Sequence, residues 1–320
     1  MSIPTRFAQL TDIPALRAIW AAAFGEGDEA DFFSFYFKPE TCVVADRDGS
    51  PVAAGYLVPF GDIVYSGADV PCAMIYAVAV LPDFRSLGYG KYLVRDLISA
   101  GHSMGYPAIV LCPSDDSLFE YYSARTDLRD WFYAAERRLS IVPPPDSIAE
   151  LSRISADDYS ELRERLLAGT PHIKLNRDVL LFQDIICSHE GGGLFRASTA
   201  AAPDGAACAI VERQPGGSVA IKELLALNGC ESSALLSIAA KFPSDEYTVR
   251  TPAKTASIAT EPTIEHTTEH IAECVTETAP VTAPVTIPET RRFGMLAAAT
   301  ELAAAVENYG VAPWYGPAFD

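Results

Sequence analysis

Met74-Ile75-Tyr76-Ala77-Val78-Ala79-Val80-Leu81 is an almost unbroken apolar run, and Pro82-Asp83-Phe84-Arg85-Ser86-Leu87-Gly88-Tyr89-Gly90 follows it at once. Such a run, ended by a proline, predicts a strand buried on both faces. Beyond the glycines, Leu93/Leu97 and Val94/Ile98 are i,i+4 apolar pairs of a helix that Gly105 and Pro107 stop. A turn between a buried strand and a helix start leaves backbone N–H groups unpaired, with the positive helix end behind them. Gly88 and Gly90 let a bulky anion approach the backbone, and Arg85 adds a fixed positive charge. Glycine spacing alone would equally describe an ordinary tight turn. The strand, the helix and Arg85 together favour a site for a di- or polyphosphate. The spacing R-x-x-G-x-G matches neither the dinucleotide fingerprint nor the P-loop.

Reading outward, Thr11-Asp12 precede a helix carrying Leu16, Ile19, Trp20 and Phe24. Thr41–Ala45 and Pro51–Leu57 read as a hairpin around Asp46-Arg47-Asp48-Gly49-Ser50, and Gly61-Asp62 as the start of a further strand. After the glycine turn comes a second buried strand, Ala108–Cys112. Ser114-Asp115-Asp116 then cap a helix bearing Leu118, Phe119, Tyr121 and Tyr122. The chain has 320 residues, 49% hydrophobic and 21% charged, which predicts a globular protein of about two domains. Its net charge of −18 argues against nucleic acid or anionic membrane as a partner and favours cationic substrates. Neither a signal peptide nor a membrane span is apparent, and seven cysteines without a C-x-x-C pair suit reduced thiols, hence a cytoplasmic protein.

The stretch from Val78 to Gly90 resembles the acyl-CoA signature of the GNAT N-acetyltransferase superfamily. The resemblance implies that Val78 and Val80 lie on the strand that pairs with the pantetheine arm. It also implies that Arg85, Ser86, Leu87, Gly88, Tyr89 and Gly90 form the loop around the CoA pyrophosphate. Leu118-Phe119-Glu120-Tyr121-Tyr122 is similar to a later element of that family whose tyrosine protonates the departing thiolate, a role that falls to Tyr122. Ser86 stands where that family commonly has glycine, and Thr126-Asp127-Leu128 replaces its usual Gly-Phe. Cys112, on the strand after the motif, reads as inert packing.

Pro143-Pro144-Pro145 is a stiff break, after which the order strand, turn, helix, strand recurs loosely. Ser155 caps a helix through Leu162 to Gly169, and strands follow at Gly193–Ser198, Ala206–Glu212 and Val219–Leu225. A helix at Ser232–Lys241 and a strand at Tyr247–Arg250 complete the half. Its turn, Asn228-Gly229-Cys230-Glu231, lacks the arginine and puts a carboxylate where an anion would sit. This points to an internal duplication that kept the fold and lost the cofactor site. Two such halves resemble the tandem-GNAT acetyltransferases, including the enhanced intracellular survival family, without its full sterol-carrier-like domain. In that family the terminal carboxylate acts as general base, which would be Asp320 here. The aromatic end, Pro313-Trp314-Tyr315-Gly316-Pro317-Ala318-Phe319-Asp320, suits a docked tail.

The expected fold class is therefore α/β (α+β), with tandem GNAT-like domains, each a mixed, mostly antiparallel sheet flanked by helices. Residues 1–142 are the expected acyl-CoA-binding catalytic domain and 146–251 a degenerate second one. Residues 252–290 form a Thr/Pro/Glu-rich insertion or linker, and 291–320 a segment returning to the first active site. His266-Thr267-Thr268-Glu269-His270 matches H-x-x-E-H, but its Thr/Pro-rich setting argues for a solvated helix or linker, and no metal is expected. His102, His172 and His189 read as surface residues. The expected activity is acetyl transfer from acetyl-CoA to a primary amine, including polycationic ones. The alternative is a non-catalytic acyl-CoA-binding regulatory protein, and a tRNA-dependent aminoacyl transferase is disfavoured by the charge. Homo-oligomer formation is left open.

Overall fold

The computed structural model describes residues 3–25, 27–65, 67–142, 149–253, 289–298 and 313–319. The triple proline, the H-x-x-E-H motif, most of the Thr/Pro-rich stretch and Asp320 lie outside them. In chain order the elements are β1 (Thr5–Phe7), α1 (Ile13–Phe24), α2 (Glu29–Phe35), β2 (Cys42–Arg47), β3 (Ser50–Tyr65), β4 (Ala68–Val80), α3 (Tyr89–Ser103), β5 (Ala108–Leu111), α4 (Asp116–Ser123) and β6 (Arg129–Leu139). The second half adds β7 (Glu150–Arg153), α5 (Ala156–Leu166), β8 (His172–Leu175), α6 (Arg177–Ser188), β9 (Gly193–Thr199), β10 (Ala202–Arg213), β11 (Val219–Ala226), α7 (Glu231–Lys241), β12 (Tyr247–Pro252) and β13 (Glu289–Ala298).

All these strands join one open, mostly antiparallel sheet ordered β1-β2-β3-β4-β5-β13-β6-β12-β11-β10-β9-β7, with β8 paired to β3. The two halves meet where β6 pairs antiparallel with β12, from Leu139–Tyr247 to Ala134–Pro252. Arg291–Leu296 lies within β13, which inserts antiparallel between β5 and β6. The parallel pairs are β4 with β5 and β11 with β12, each crossed by one helix, α3 and α7. The Leu93/Leu97 and Val94/Ile98 pairs of α3 are buried against one face together with Phe119 and Tyr122 of α4. The opposite face carries a core common to both halves, in which Trp20, Phe32, Phe182, Trp314 and Tyr315 are buried. There Trp20 stacks on Phe32 at 4.9 Å between centroids. No helix of the described residues is long and apolar enough to cross a membrane.

Gly61 and Asp62 do not start a separate strand. They continue β3 past an irregularity at Pro59/Gly61, and this outer part of β3 receives β8 from the second half. Gly61 has φ +147°, and a Cβ there would stand 2.0 Å from the Lys174 carbonyl oxygen, so two backbones touch where only hydrogen fits. His172 is another departure from the sequence reading. It is 4% exposed, its Nε2 lies 3.0 Å from Glu164 Oε2 and its Nδ1 2.6 Å from the Thr170 carbonyl. Gly61→Ala is expected to cost about 2 kcal/mol or more, because the strain and the clash fall on backbone atoms that cannot yield. Urea denaturation of the variant checks this.

Candidate active site

The candidate site starts from a strand pair that comes apart. β4 and β5 are paired from Cys72–Ala108 to Ile75–Leu111 and no further, although β4 runs on to Val80. On its other side β4 stays paired with β3, with a shift of one residue between Tyr56–Tyr76 and Ala54–Ala79. The extra residue is accommodated by Ala77, a non-glycine in the left-handed region at φ 48°. Such a bulge bends the strand and re-aims its side chains. Beyond Ile75 the edge of β4 that faces β5 therefore has no strand partner among the described residues, and Val78 and Val80 lie half-buried along it.

The turn after β4 follows suit. Ser86 (φ 64°) and Gly88 (φ 91°) are both left-handed, the succession of conformations that turns backbone N–H groups toward a common centre. No side chain caps α3, and its first turn has no acidic residue. Its positive end is thus left to a ligand. Gly88 needs its glycine for φ. Ser86 adopts the same region at a cost of about 1 kcal/mol, which gives a physical reason for glycine at that position. A Cβ on Gly90 would lie 3.4 Å from the Tyr121 hydroxyl oxygen and 3.9 Å from Val80 Cγ2, so the helix start approaches both β4 and α4 closely.

The predicted loop residues divide by role. Arg85, Ser86 and Leu87 are exposed, with Leu87 57% so. Arg85 Nε donates to the Val80 carbonyl at 3.1 Å, tying loop to strand and occupying that acceptor. The Tyr89 side chain is buried edge-on to Phe84, so it can serve the loop through its backbone alone. On α4, Asp115 caps the helix by accepting from Ser117 N at 2.9 Å. Tyr122 is buried, and desolvation, reinforced by Tyr121 and Asp115, pushes its hydroxyl well above the ordinary tyrosine range. It therefore keeps its proton at neutral pH. Tyr121, edge-on to Tyr122 at 5.3 Å, is half-buried with the Arg125 guanidinium over its ring. Its hydroxyl is the one brought to Gly90, a neighbour that the helical spacing of two adjacent tyrosines could not single out.

Two further features have partners that the sequence did not name. Phe319 of the C-terminal segment lies 5.2 Å from the Tyr76 ring, next to the bulge, and also contacts Tyr36, Phe60 and Phe182. In the second half, Glu231 opens α7 and pairs with Arg137 of β6, so the end of α7 that corresponds to the diphosphate turn is already neutralised. Asp28, Asp31 and His189 bring ligand atoms within 4.8 Å of one another. His189 Nε2 is within hydrogen-bonding distance (2.8 Å) of Asp31 Oδ2, which accounts for their proximity.

A strand edge freed by a bulge is thus followed directly by an uncapped helix start. Residues 4–125 match the family described as acetyltransferase (GNAT) domain, so this part of the chain is a GNAT domain. Among solved structures, the chain is similar to a GCN5-related N-acetyltransferase from Anabaena variabilis. The TM-score is 0.62 at 16% identity, over 92% of this chain and 72% of that one. It is also similar to a GCN5-related N-acetyltransferase from Kribbella flavida (TM-score 0.59, 15% identity, 92% and 71% covered). A third is Eis1 from Mycobacterium abscessus, with TM-score 0.58 and 14% identity over 95% of this chain and 75% of that one. No curated protein sequence matches. At these identities the structural likeness establishes the fold, over nearly the whole chain, and the GNAT domain supports acyl transfer from an acyl-CoA in general.

Gly90→Val is expected to weaken acyl-CoA binding at least tenfold while leaving the protein folded, because the added methyl groups enter the space between Tyr121 and Val80. Isothermal calorimetry with acetyl-CoA, alongside a thermal melt, measures both.

Proposed function

We propose that the protein transfers an acetyl group from acetyl-CoA to a primary amine by direct attack. The observation that carries this reading is the edge of β4 beyond Ile75, freed by the left-handed Ala77 and leading into the uncapped start of α3. Val78 and Val80 would run beside the pantetheine arm, with N–H groups of the Arg85–Gly90 turn around the diphosphate. The acetyl carbonyl would then lie near the bulge, where main-chain N–H groups can polarise it.

In the reaction the amine nitrogen bonds to the thioester carbonyl carbon, the carbon–sulfur bond breaks, and the sulfur leaves as thiolate. Tyr122 is our proton donor to that sulfur, and its place in the core cluster against which Val78 and Val80 pack supports the assignment. Asp320, the residue after Phe319, is our acceptor of the amine proton. Support for it is the packing of Phe319 on Tyr76, which brings the segment to the acyl strand. The net charge of −18 favours a cationic acceptor. The six described cysteines are all free, which supports a reducing compartment, the cytoplasm.

Purified protein is expected to release free thiol from acetyl-CoA when given a suitable amine. Tyr122→Phe should slow this about 10²-fold, the usual size of a general-acid contribution, with acetyl-CoA affinity little changed. Tyr121→Phe should act more on affinity than on rate. Saturable acetyl-CoA binding without turnover across a broad amine panel would favour the regulatory reading instead. Removing Asp320 is expected to lower turnover more than acetyl-CoA affinity. An unchanged rate would dismiss it as the proton acceptor.

A further inference from the structure

The second half repeats the bulge and the splay of the first. Lys222 is the extra residue between the Ile210–Glu223 and Val211–Ile221 pairs, and pairing of β11 with β12 ends at Ile221–Val249. Directly after this point the chain buries a carboxylate. Glu223 has no exposed surface, and it accepts hydrogen bonds from Tyr159 Oη (2.7 Å), Arg163 Nε (3.0 Å to each oxygen) and Trp314 Nε1 (2.6 Å). A buried charge is tolerated only when its lone pairs are filled by donors, and one of these donors comes from the C-terminal segment.

That segment is held along its length. Trp314 N donates to Pro171 O and Ile173 N donates to Trp314 O, each at 2.9 Å, while Arg163 Nη1 donates to the Ile173 carbonyl at 2.7 Å. Gly316, at φ +95°, passes so close to Arg163 that a Cβ would stand 2.9 Å from Nη2. The fully buried Gln183 donates to Ala318 O at 2.8 Å. From there Phe319 reaches Tyr76, the residue before Ala77 on the acyl strand. The segment thus runs from a charged cluster in the half without a diphosphate turn to the proposed reaction centre in the other.

We propose that the second half acts as a clamp for the C-terminal segment, and that Glu223, Arg163 and Trp314 are positioning residues for the acyl transfer. The inference rests on the transferase reading above. Glu223 and Arg163 hold Trp314, Trp314 fixes the register of the segment, and that register sets where its last residues meet β4. A second half that has lost cofactor binding is then retained for its buried carboxylate.

The test uses the full chain. Trp314→Phe keeps a ring and removes the indole donor. It is expected to cut turnover about tenfold, to leave the acetyl-CoA dissociation constant within twofold, and to speed amide hydrogen exchange across 315–319 by tenfold or more. Combined with removal of residues 317–320, it should slow the enzyme no further than that removal alone, because both act through the segment. Normal exchange with normal turnover, or losses that add in full, would overturn the clamp. Glu223→Gln is expected to act in the same direction. If it does not fold, Trp314→Phe with an unchanged circular dichroism spectrum carries the test. Absence of turnover in the unaltered protein with every amine would count against the transferase reading only. Hydrogen exchange still decides the clamp in that case, faster exchange supporting it and unchanged exchange refuting it.

Discussion

A strand that loses its neighbour must find other partners for its main-chain N–H and C=O groups, because unpaired backbone away from water is costly. In this protein β4 loses β5 after Ile75, and the remainder of the candidate site follows from that divergence. The bulge at Ala77 bends the strand away, the turn at Ser86 and Gly88 gathers N–H groups, and α3 adds its positive end. Each feature alone is common. Their succession within fifteen residues joins an open strand edge to a helix start, and α4 places two tyrosines alongside.

The second half carries a similar strand divergence with a different helix start. Its crossover from β11 through α7 to β12 has the bulge and the splay, but the first turn of α7 holds the carboxylate of Glu231, paired with Arg137. Just past its bulge lies the buried cluster of Glu223, Arg163, Tyr159 and Trp314. Such a cluster adds little net stability compared with apolar side chains of the same volume, yet removing one partner costs ~3–5 kcal/mol because the other charge is stranded. The asymmetry suits a device that fixes one arrangement of the chain. The shared core beneath the sheet, with Phe182 from one half against Phe32 from the other, ties the halves together on the same face.

The sequence made the local elements legible where one physical signal dominated. The apolar run of β4 and β5, the i,i+4 pairs of α3 and the Asp115 and Ser155 caps fall where their patterns put them. Elements with mixed signals escaped it. α2 has seven residues dense in phenylalanine, too short for a helical period to show. β6 carries three arginines, an aspartate and a glutamate among its apolar residues. Those charges pair with residues far along the chain, such as Arg291 and Arg250 with Glu136 at 2.7 Å. His172 looked like a surface histidine because neither its partner Glu164 nor its backbone bridge to Trp314 shows in the residues beside it.

By itself the sequence determined the glycine turn ahead of α3, since glycine backbone freedom, a fixed charge and a helix start are properties of consecutive residues. It also determined much of the alternation of strand and helix, through hydrophobic period and capping, but not β7, β8 or α6 in the second half. Only the tertiary structure decided that one sheet runs through both halves, that β13 enters between β5 and β6, and that Trp314 meets Glu223 ninety-one residues away. Those contacts join residues with no common local pattern. Their free energy comes from burial and from donors completing a buried carboxylate, and neither exists until the chain has folded.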